Sequence, residues 1–288
     1  MKPVVALIAP GNMGAAVGKR LTENGLQVLT SLAGRSEESV KRARAAGMTD
    51  ASHDQIAAAD LVLSIVPPGD ALSLAERLAP ALARGNRKPA YVECNAVNPK
   101  TVAGIAAAIA PTACPFVDAG ILGGPPKPGS PGPAFYASGA EAPRFAVLND
   151  YGLDVRVLDG GVGAASAMKM SYAGITKGFT ALGTVMMLAA SRAGTAEVLH
   201  RELAATQPQL LAWLTRQVPN MYSKAYRWVA EMEEIAGFVD EDEAGNQIFS
   251  GAADLYERIA EDFDASRAET GALTKFLDQG KKQPPPSS

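Results

Sequence analysis

Lys169 is the residue of this chain best suited to move a proton. It closes the segment Gly161-Val162-Gly163-Ala164-Ala165-Ser166-Ala167-Met168-Lys169, where small and apolar residues open what reads as a helix. An ammonium group in such surroundings is unfavourable unless it has a partner or a task. A desolvated lysine exchanges its proton near neutral pH, which suits it to general acid and base chemistry. At about 100° per residue, Thr176 and Thr180 fall within about 20° of Lys169, with Tyr172 about 60° to one side. These residues form a polar strip on an apolar helix, and Tyr172 and Thr176 are candidates to meet a substrate. Hydroxyls bonded back onto the helix are the plainer alternative for the threonines. Lys177 falls further round and is expected to face solvent. The histidines, His53 and His200, have no partner at metal-ligand spacing, so no metal is expected. Cys94 and Cys114 form no C-x-x-C pair and read as buried thiols in a reducing cytoplasm.

A second constellation lies near the start. The apolar run Val4–Ala9 leads into Ala9-Pro10-Gly11-Asn12-Met13-Gly14, a G-x-G-x-x-G pattern with alanine in the first place. The second glycine of that pattern lets the backbone approach a pyrophosphate, and the third lets helix and strand pack closely. Amides at the start of the following helix would face the phosphates, helped by the helix dipole. Pro10, Gly11, Asn12, Met13 and Gly14 are therefore expected to bind a dinucleotide; an ordinary strand–turn–helix is the alternative. The next strand ends in Leu32-Ala33-Gly34-Arg35-Ser36, with no carboxylate to take a ribose 2′-hydroxyl. Arg35 can pair with a 2′-phosphate and Ser36 can donate to it, which favours NADP(H) over NAD(H). Lys41 and Arg42 read as a solvated helix face.

The elements around these motifs alternate. Strands are expected at 4–9, 27–32, 61–66, 90–94 and 115–119, with helices at 13–24, 36–46, 72–82 and 99–110. Such β-α-β repetition marks a doubly wound parallel sheet, the Rossmann arrangement. Gly123–Pro133 is dense in glycine and proline and must be a loop. Late strands are expected at 134–138 and 155–158. From Ala164 to about Ala193 one long buried helix is expected, followed by helices at 196–205, 209–218, 223–236 and 252–265. The fold class is thus α/β, with an all-α C-terminal domain joined to the Rossmann domain by that helix. The domains are expected at 1–162 and 163–288, with 281–288 a disordered tail. The length of 288 residues suits two domains. A net charge of −3 gives no basic surface for nucleic acid or anionic membrane. No window offers about 18 uninterrupted apolar residues, so no membrane span is expected. The start, Met1–Ile8, is too short for a signal peptide.

Over roughly residues 4 to 193 the chain resembles the β-hydroxyacid dehydrogenase family, which includes 3-hydroxyisobutyrate dehydrogenase and, more distantly, 6-phosphogluconate dehydrogenase. Gly11-Asn12-Met13-Gly14 and the glycine-to-lysine spacing before Lys169 carry the resemblance. Asp118-Ala119-Gly120-Ile121-Leu122-Gly123-Gly124 matches the family's substrate loop, D-A-P-V-S-G-G, with Leu122 in place of the serine. Glu93-Cys94-Asn95-Ala96 takes the place of a D-x-S-T stretch beside the nicotinamide, where Asn95 can hydrogen-bond a carboxamide. Val66 and Pro67 are expected at the cofactor too. Lys169-Met170-Ser171-Tyr172-Ala173 lacks both asparagines of the usual K-x-x-N-N.

The resemblance implies an NADP(H)-dependent oxidoreductase acting on a 3-hydroxyacid or semialdehyde, with Lys169 as general acid/base, Leu122, Gly123 and Gly124 at the substrate, and a homodimer. An imine or pyrroline-carboxylate-type reductase shares the Gly-Asn-Met-Gly start and is the alternative enzyme. An NADP(H)-sensing module is the non-catalytic one, and the retained lysine argues against it. Tyr226, Arg227 and Trp228 are expected either to close the pocket or to lie at a dimer interface.

Overall fold

The computed structural model describes residues 2–127 and 129–279, so the expected tail at 281–288 lies outside the described residues. The chain divides into two compact units, Met1–Ser171 and Tyr172–Ser288.

The first unit is built on one sheet. Its elements are β1 (Val4–Ile8), α1 (Asn12–Glu23), β2 (Gln27–Thr30), α2 (Glu37–Ala45), β3 (Thr49–Asp50), α3 (His53–Ala57), β4 (Leu61–Ser64), α4 (Ala71–Arg84), β5 (Ala90–Glu93), α5 (Pro99–Ile109), β6 (Phe116–Leu122), β7 (Ala134–Ser138), α6 (Ala142–Ala146) and β8 (Asp154–Val157). The strand order is β3-β2-β1-β4-β5-β6-β7-β8, and the order reverses between β1 and β4, where α/β sheets bind ligands. The pairings are parallel except that β7 runs antiparallel to β6. The sheet is thus mostly parallel, as the doubly wound expectation has it, with one antiparallel joint. A parallel return needs a crossover, usually helical, and the proline-dense Gly123–Pro133 segment cannot form that helix.

Alternation along each strand supplies both faces of the core. Leu7, Leu63, Val92 and Val117 meet Val17 and Leu21 of α1 and Phe145 of α6 on one side. Ile8, Val62 and Tyr91 meet Leu74, Leu78 and Leu82 of α4 and Ile105 and Ile109 of α5 on the other. Burial on both faces explains the unbroken apolar runs of β1 and β4. Caps end the connecting loops: Ser36 caps α2, Ser52 caps α3 with Gln55 in return, and Asn98 accepts from Lys100 and Thr101 at the start of α5.

The long helix α7 (Ala164–Arg192) begins in the first unit and continues into the second. The two compact units part after Ser171, and the first turn of α7 is hydrogen-bonded to β6 and β7 of the first unit. The second unit adds α8 (Ala196–Thr206), α9 (Pro208–Tyr222), α10 (Ala225–Phe238), α11 (Glu243–Asp264) and α12 (Ala268–Leu277). Helix α11 starts at Glu243 rather than 252, because Asp242 caps a stretch whose acidic residues read as loop. The short β3, α3 and α6, and α12, were not expected from the sequence.

Helix α7 is buried on one side only, contrary to expectation. Met170, Ala173, Met187 and Leu188 are buried, whereas Tyr172, Ile175, Phe179, Leu182 and Met186 are exposed. By length and composition α7 passes for a membrane span, which the count of uninterrupted apolar residues did not anticipate; 50% of that window is buried.

Candidate active site

At the glycine turn the backbone is open at Gly11 and tightly packed at Gly14. Gly11 caps α1 with an extended backbone, and a Cβ built on it would meet nothing within 4 Å, so the turn is open above it. A Cβ on Gly14 would stand 2.1 Å from the Ala9 carbonyl oxygen, so helix and strand touch there as only glycine allows. The first helical bond of α1 runs from Ala15 N to Gly11 O, leaving the amides of Asn12, Met13 and Gly14 outside the helical ladder at its start. Arg42 was expected to be a solvated face residue. Instead its Nε donates to the Pro10 carbonyl at 3.2 Å and its Nη2 to Ser39 Oγ at 3.0 Å, which ties α2 to the turn.

Beyond the β2 tip lies a cavity of about 330 Å³, lined by Ser31, Ala33, Gly34, Arg35, His53 and Arg77 among others. Gly34 turns the chain with φ of +71°, and Arg35 is exposed at the cavity. Ser36 caps α2: its Oγ accepts from Ser39 N at 3.3 Å and lies 3.1 Å from Ser39 Oγ. Arg77, on the next helix but one, was missed because nothing in its sequence neighbourhood connects α4 with the end of β2.

At the ends of β4 and β5, Asn95 is a buried brace. Its Oδ1 accepts from Val66 N at 2.6 Å, its Nδ2 donates to Ser64 Oγ at 2.7 Å, and its own N–H donates to Glu93 Oε1 at 2.9 Å. Ser64, Glu93, Asp118 and Ser138 are neighbours in register across four adjacent strands, and each is 0% exposed. Burial pushes the Glu93 carboxyl up to about 8, against the hydrogen bonds from Asn95 and Ser64 and with the Asp118 charge adding to the rise. Burial likewise raises the Tyr91 phenol and the Cys94 thiol.

Asp118 performs a task the sequence did not reveal. Its Oδ2 accepts from Gly163 N at 2.9 Å, Ser166 N at 3.1 Å and Ser138 Oγ at 3.1 Å, and its Oδ1 accepts from Ser166 Oγ at 2.6 Å. A carboxylate thus sits on the N-terminal amides of α7, where the helix dipole favours it. The available signal was a charge inside the apolar run of β6. One turn further along, Lys169 Nζ donates to the Ile121 carbonyl at 2.6 Å. Gly120 makes this approach possible, since a Cβ there would lie 2.9 Å from Lys169 Cβ. The lysine and the strand leading to Leu122, Gly123 and Gly124 are therefore together.

Tyr172 and Thr176 lie in the second unit. Tyr172 is exposed, and Thr176 Oγ1 donates to the Tyr172 carbonyl at 2.9 Å, as Thr180 does to Thr176. Lys177, expected in solvent, is instead paired with Glu231 at low exposure, and its ammonium stands 5.0 Å from the Trp228 ring centre. Tyr256 packs edge-on against Trp228 and donates to the Lys177 carbonyl at 2.6 Å. Tyr226 is exposed, with Arg227 over its ring.

A doubly wound sheet with an open glycine turn at its switch point is the arrangement of dinucleotide-binding domains. Residues 4–148, half of the 288, match the family described as the NAD binding domain of 6-phosphogluconate dehydrogenase, and the chain belongs to that family. Residues 190–259 match a domain of unknown function. A conserved protein of unknown function, whose structure is described as similar to 3-hydroxyacid dehydrogenases, is 29% identical with a TM-score of 0.70, over 93% of this chain and 98% of that one. The 3-hydroxyisobutyrate dehydrogenase of Mycobacterium tuberculosis, solved with L-serine, shares the fold at 18% identity and a TM-score of 0.69, over 96% and 99% of the two chains. An imine reductase variant from Myxococcus stipitatus, solved with NAD+, shares it at 22% identity and a TM-score of 0.58, over 96% and 100%. The resemblance read from the glycine turn and Lys169 agrees with these matches.

Proposed function

We propose that the chain is an NADP(H)-dependent oxidoreductase that moves a hydride to or from a small 3-hydroxyacid or the corresponding semialdehyde, with Lys169 as general acid and base. The observation that carries this reading is the Lys169 ammonium held on the Ile121 carbonyl, one residue before Leu122 and the Gly123-Gly124 pair.

The residues present fit a dinucleotide. The space above Gly11 admits a pyrophosphate to the α1 amides, and the cavity at the β2 tip offers Arg35 to a 2′-phosphate, with Arg77 and His53 on its walls. The strand ends at Val66, Pro67 and Asn95 would hold the nicotinamide, which would supply the hydride chemistry when bound. The protein's part is position and a proton. Asp118 fixes the register of α7, the Ile121 carbonyl aims the ammonium, and Lys169 donates to the oxygen of a carbonyl being reduced or accepts from a carbinol being oxidised. Asn95 holds the Val66–Pro67 turn against β5.

Leu122 favours a second reading. A partly exposed apolar side chain stands where the family's loop offers a serine hydroxyl, which suits an imine on an apolar ring better than a carboxylate. Rates of NADPH oxidation with semialdehydes and cyclic imines, and of NADP+ reduction with 3-hydroxyacids, test the two readings. Turnover confined to imines overturns the first. Binding of NADPH with no turnover across the panel returns the chain to a sensing role.

The exposed stripe Tyr172, Ile175, Phe179, Leu182 and Met186 advances by alternating steps of three and four residues, the spacing of a helix–helix seam. It supports a homodimer formed through α7, checked by light scattering of the full chain. The two buried free thiols suit a reducing cytoplasm.

A further inference from the structure

The mechanism above leaves one buried acid unused. Glu93 ends β5 between two knots of hydrogen bonds. On one side Asn95 joins Ser64, Val66 and the Glu93 Oε1 atom. On the other, Asp118 joins Ser138 and the first turn of the Lys169 helix. Glu93 Oε2 has no hydrogen-bond partner among the described residues, and the side chain is completely buried. A carboxylate there would be a second negative charge beside Asp118 with no compensating donor on that oxygen, and an unpaired buried charge opens structure or takes up a proton.

We propose that Glu93 is a positioning residue for the nicotinamide reaction: its Oε1 holds the Asn95 amide, and so the strand ends carrying Val66 and Asn95, in register beside the Asp118 knot, and cofactor binds to the form in which Glu93 is protonated. The proposal rests on the reading of these strand ends as the cofactor site. The charged group facing Glu93 agrees with a neutral acid. Asp118 faces it from β6; Tyr91 on β5 and Cys94 just after it lie close in sequence; Ser64 of β4 and Asn95 hydrogen-bond it and oppose the rise without adding charge; and Arg77 of α4 acts on Tyr91. Ionisation at about pH 8 would draw water to the β4 and β5 ends and loosen the Asn95–Val66 brace.

The test is titration of the full chain with NADPH and with NADH, by nucleotide fluorescence, from about pH 6.5 to 9.5. For the wild type, Kd should rise about tenfold per pH unit above pH 8, as one linked proton requires. For Glu93→Gln, whose amide mimics the neutral acid, the steep alkaline rise should vanish for both nucleotides. A residue that only fills space would leave the two profiles parallel, and parallel profiles overturn the proposal. A wild-type Kd that is flat through pH 9 overturns it too, whatever the variant does, so a misfolded variant does not protect it. If neither nucleotide binds the folded wild type at any pH, the cofactor reading falls as well; if both bind and the profiles overlay, the coupling alone falls.

Discussion

Alanine at each glycine of the dinucleotide turn should separate folding from binding. At Gly14 the new Cβ would lie 2.1 Å from the Ala9 carbonyl oxygen and 3.0 Å from Leu7 Cδ2. A close carbon–oxygen contact sits near ~3.3 Å, so α1 must move off β1 by about 1 Å at its first turn. Overpacking of this kind costs about 1–3 kcal/mol, and contact with backbone puts Gly14 at the upper end. Alanine returns about 1 kcal/mol of helix propensity, leaving a net loss of about 2 kcal/mol. At Gly11 nothing lies within 4 Å of the new Cβ, and φ of −68° with ψ of −173° suits any residue. Stability should there stay within about 1 kcal/mol, the scale of a weakened cap. The same Cβ stands over the amides offered to a pyrophosphate, and loss of one charge-assisted hydrogen bond weakens cofactor by about 1.5–3 kcal/mol, or ten- to a hundredfold. Urea unfolding and NADPH titration of both variants provide the assay. Wild-type unfolding of Gly14→Ala would refute the close helix–strand joint, and wild-type NADPH affinity in Gly11→Ala would move the phosphate site elsewhere.

Other perturbations address single groups. Arg35→Ala should weaken NADPH by about 1.5–3 kcal/mol and leave NADH nearly unchanged; equal losses in paired titrations would remove the 2′-phosphate from this residue. Lys169→Ala should retain NADPH affinity while turnover falls about 10²–10⁴-fold, and Lys169→Arg should not restore it, because a guanidinium does not release its proton near neutrality. A loss below about tenfold on an imine would indicate a substrate that arrives protonated. Asp118→Asn turns an amide toward donors that now meet a carboxylate, and should destabilise the chain by about 3 kcal/mol or more in urea unfolding. Stability should also follow Glu93: its folded pKa is about 8 against an ordinary 4.5, so the folded state holds the extra proton between those values. Wild-type stability should therefore fall relative to Glu93→Gln as pH rises from 4.5 to 8, by up to about 1.4 kcal/mol per unit, and level off above; a constant difference would contradict this.

Local patterns were enough to read the sheet, the glycine turn and the lysine helix. Apolar runs bounded by glycine and proline located β1, β4, β5 and β7 because doubly buried strands tolerate little else. The close packing at Gly14 and the open backbone at Gly11 were legible because each depends on one residue's missing side chain. The reversal of β7 was not, since it depends on what the proline-dense segment before it cannot do. Tertiary structure alone decided which charges are structural. Arg42 looked like surface until α2 brought it to Pro10, and Lys177 looked solvated until α10 supplied Glu231 and Trp228. Asp118 and Ser166 are far apart in sequence, yet their bond sets where Lys169 stands. Glu93 shows the same limit most clearly. Its residue type predicts an ordinary carboxylate, and only complete burial at the end of β5, with the Asp118 charge beside it on β6, pushes its carboxyl up to about 8.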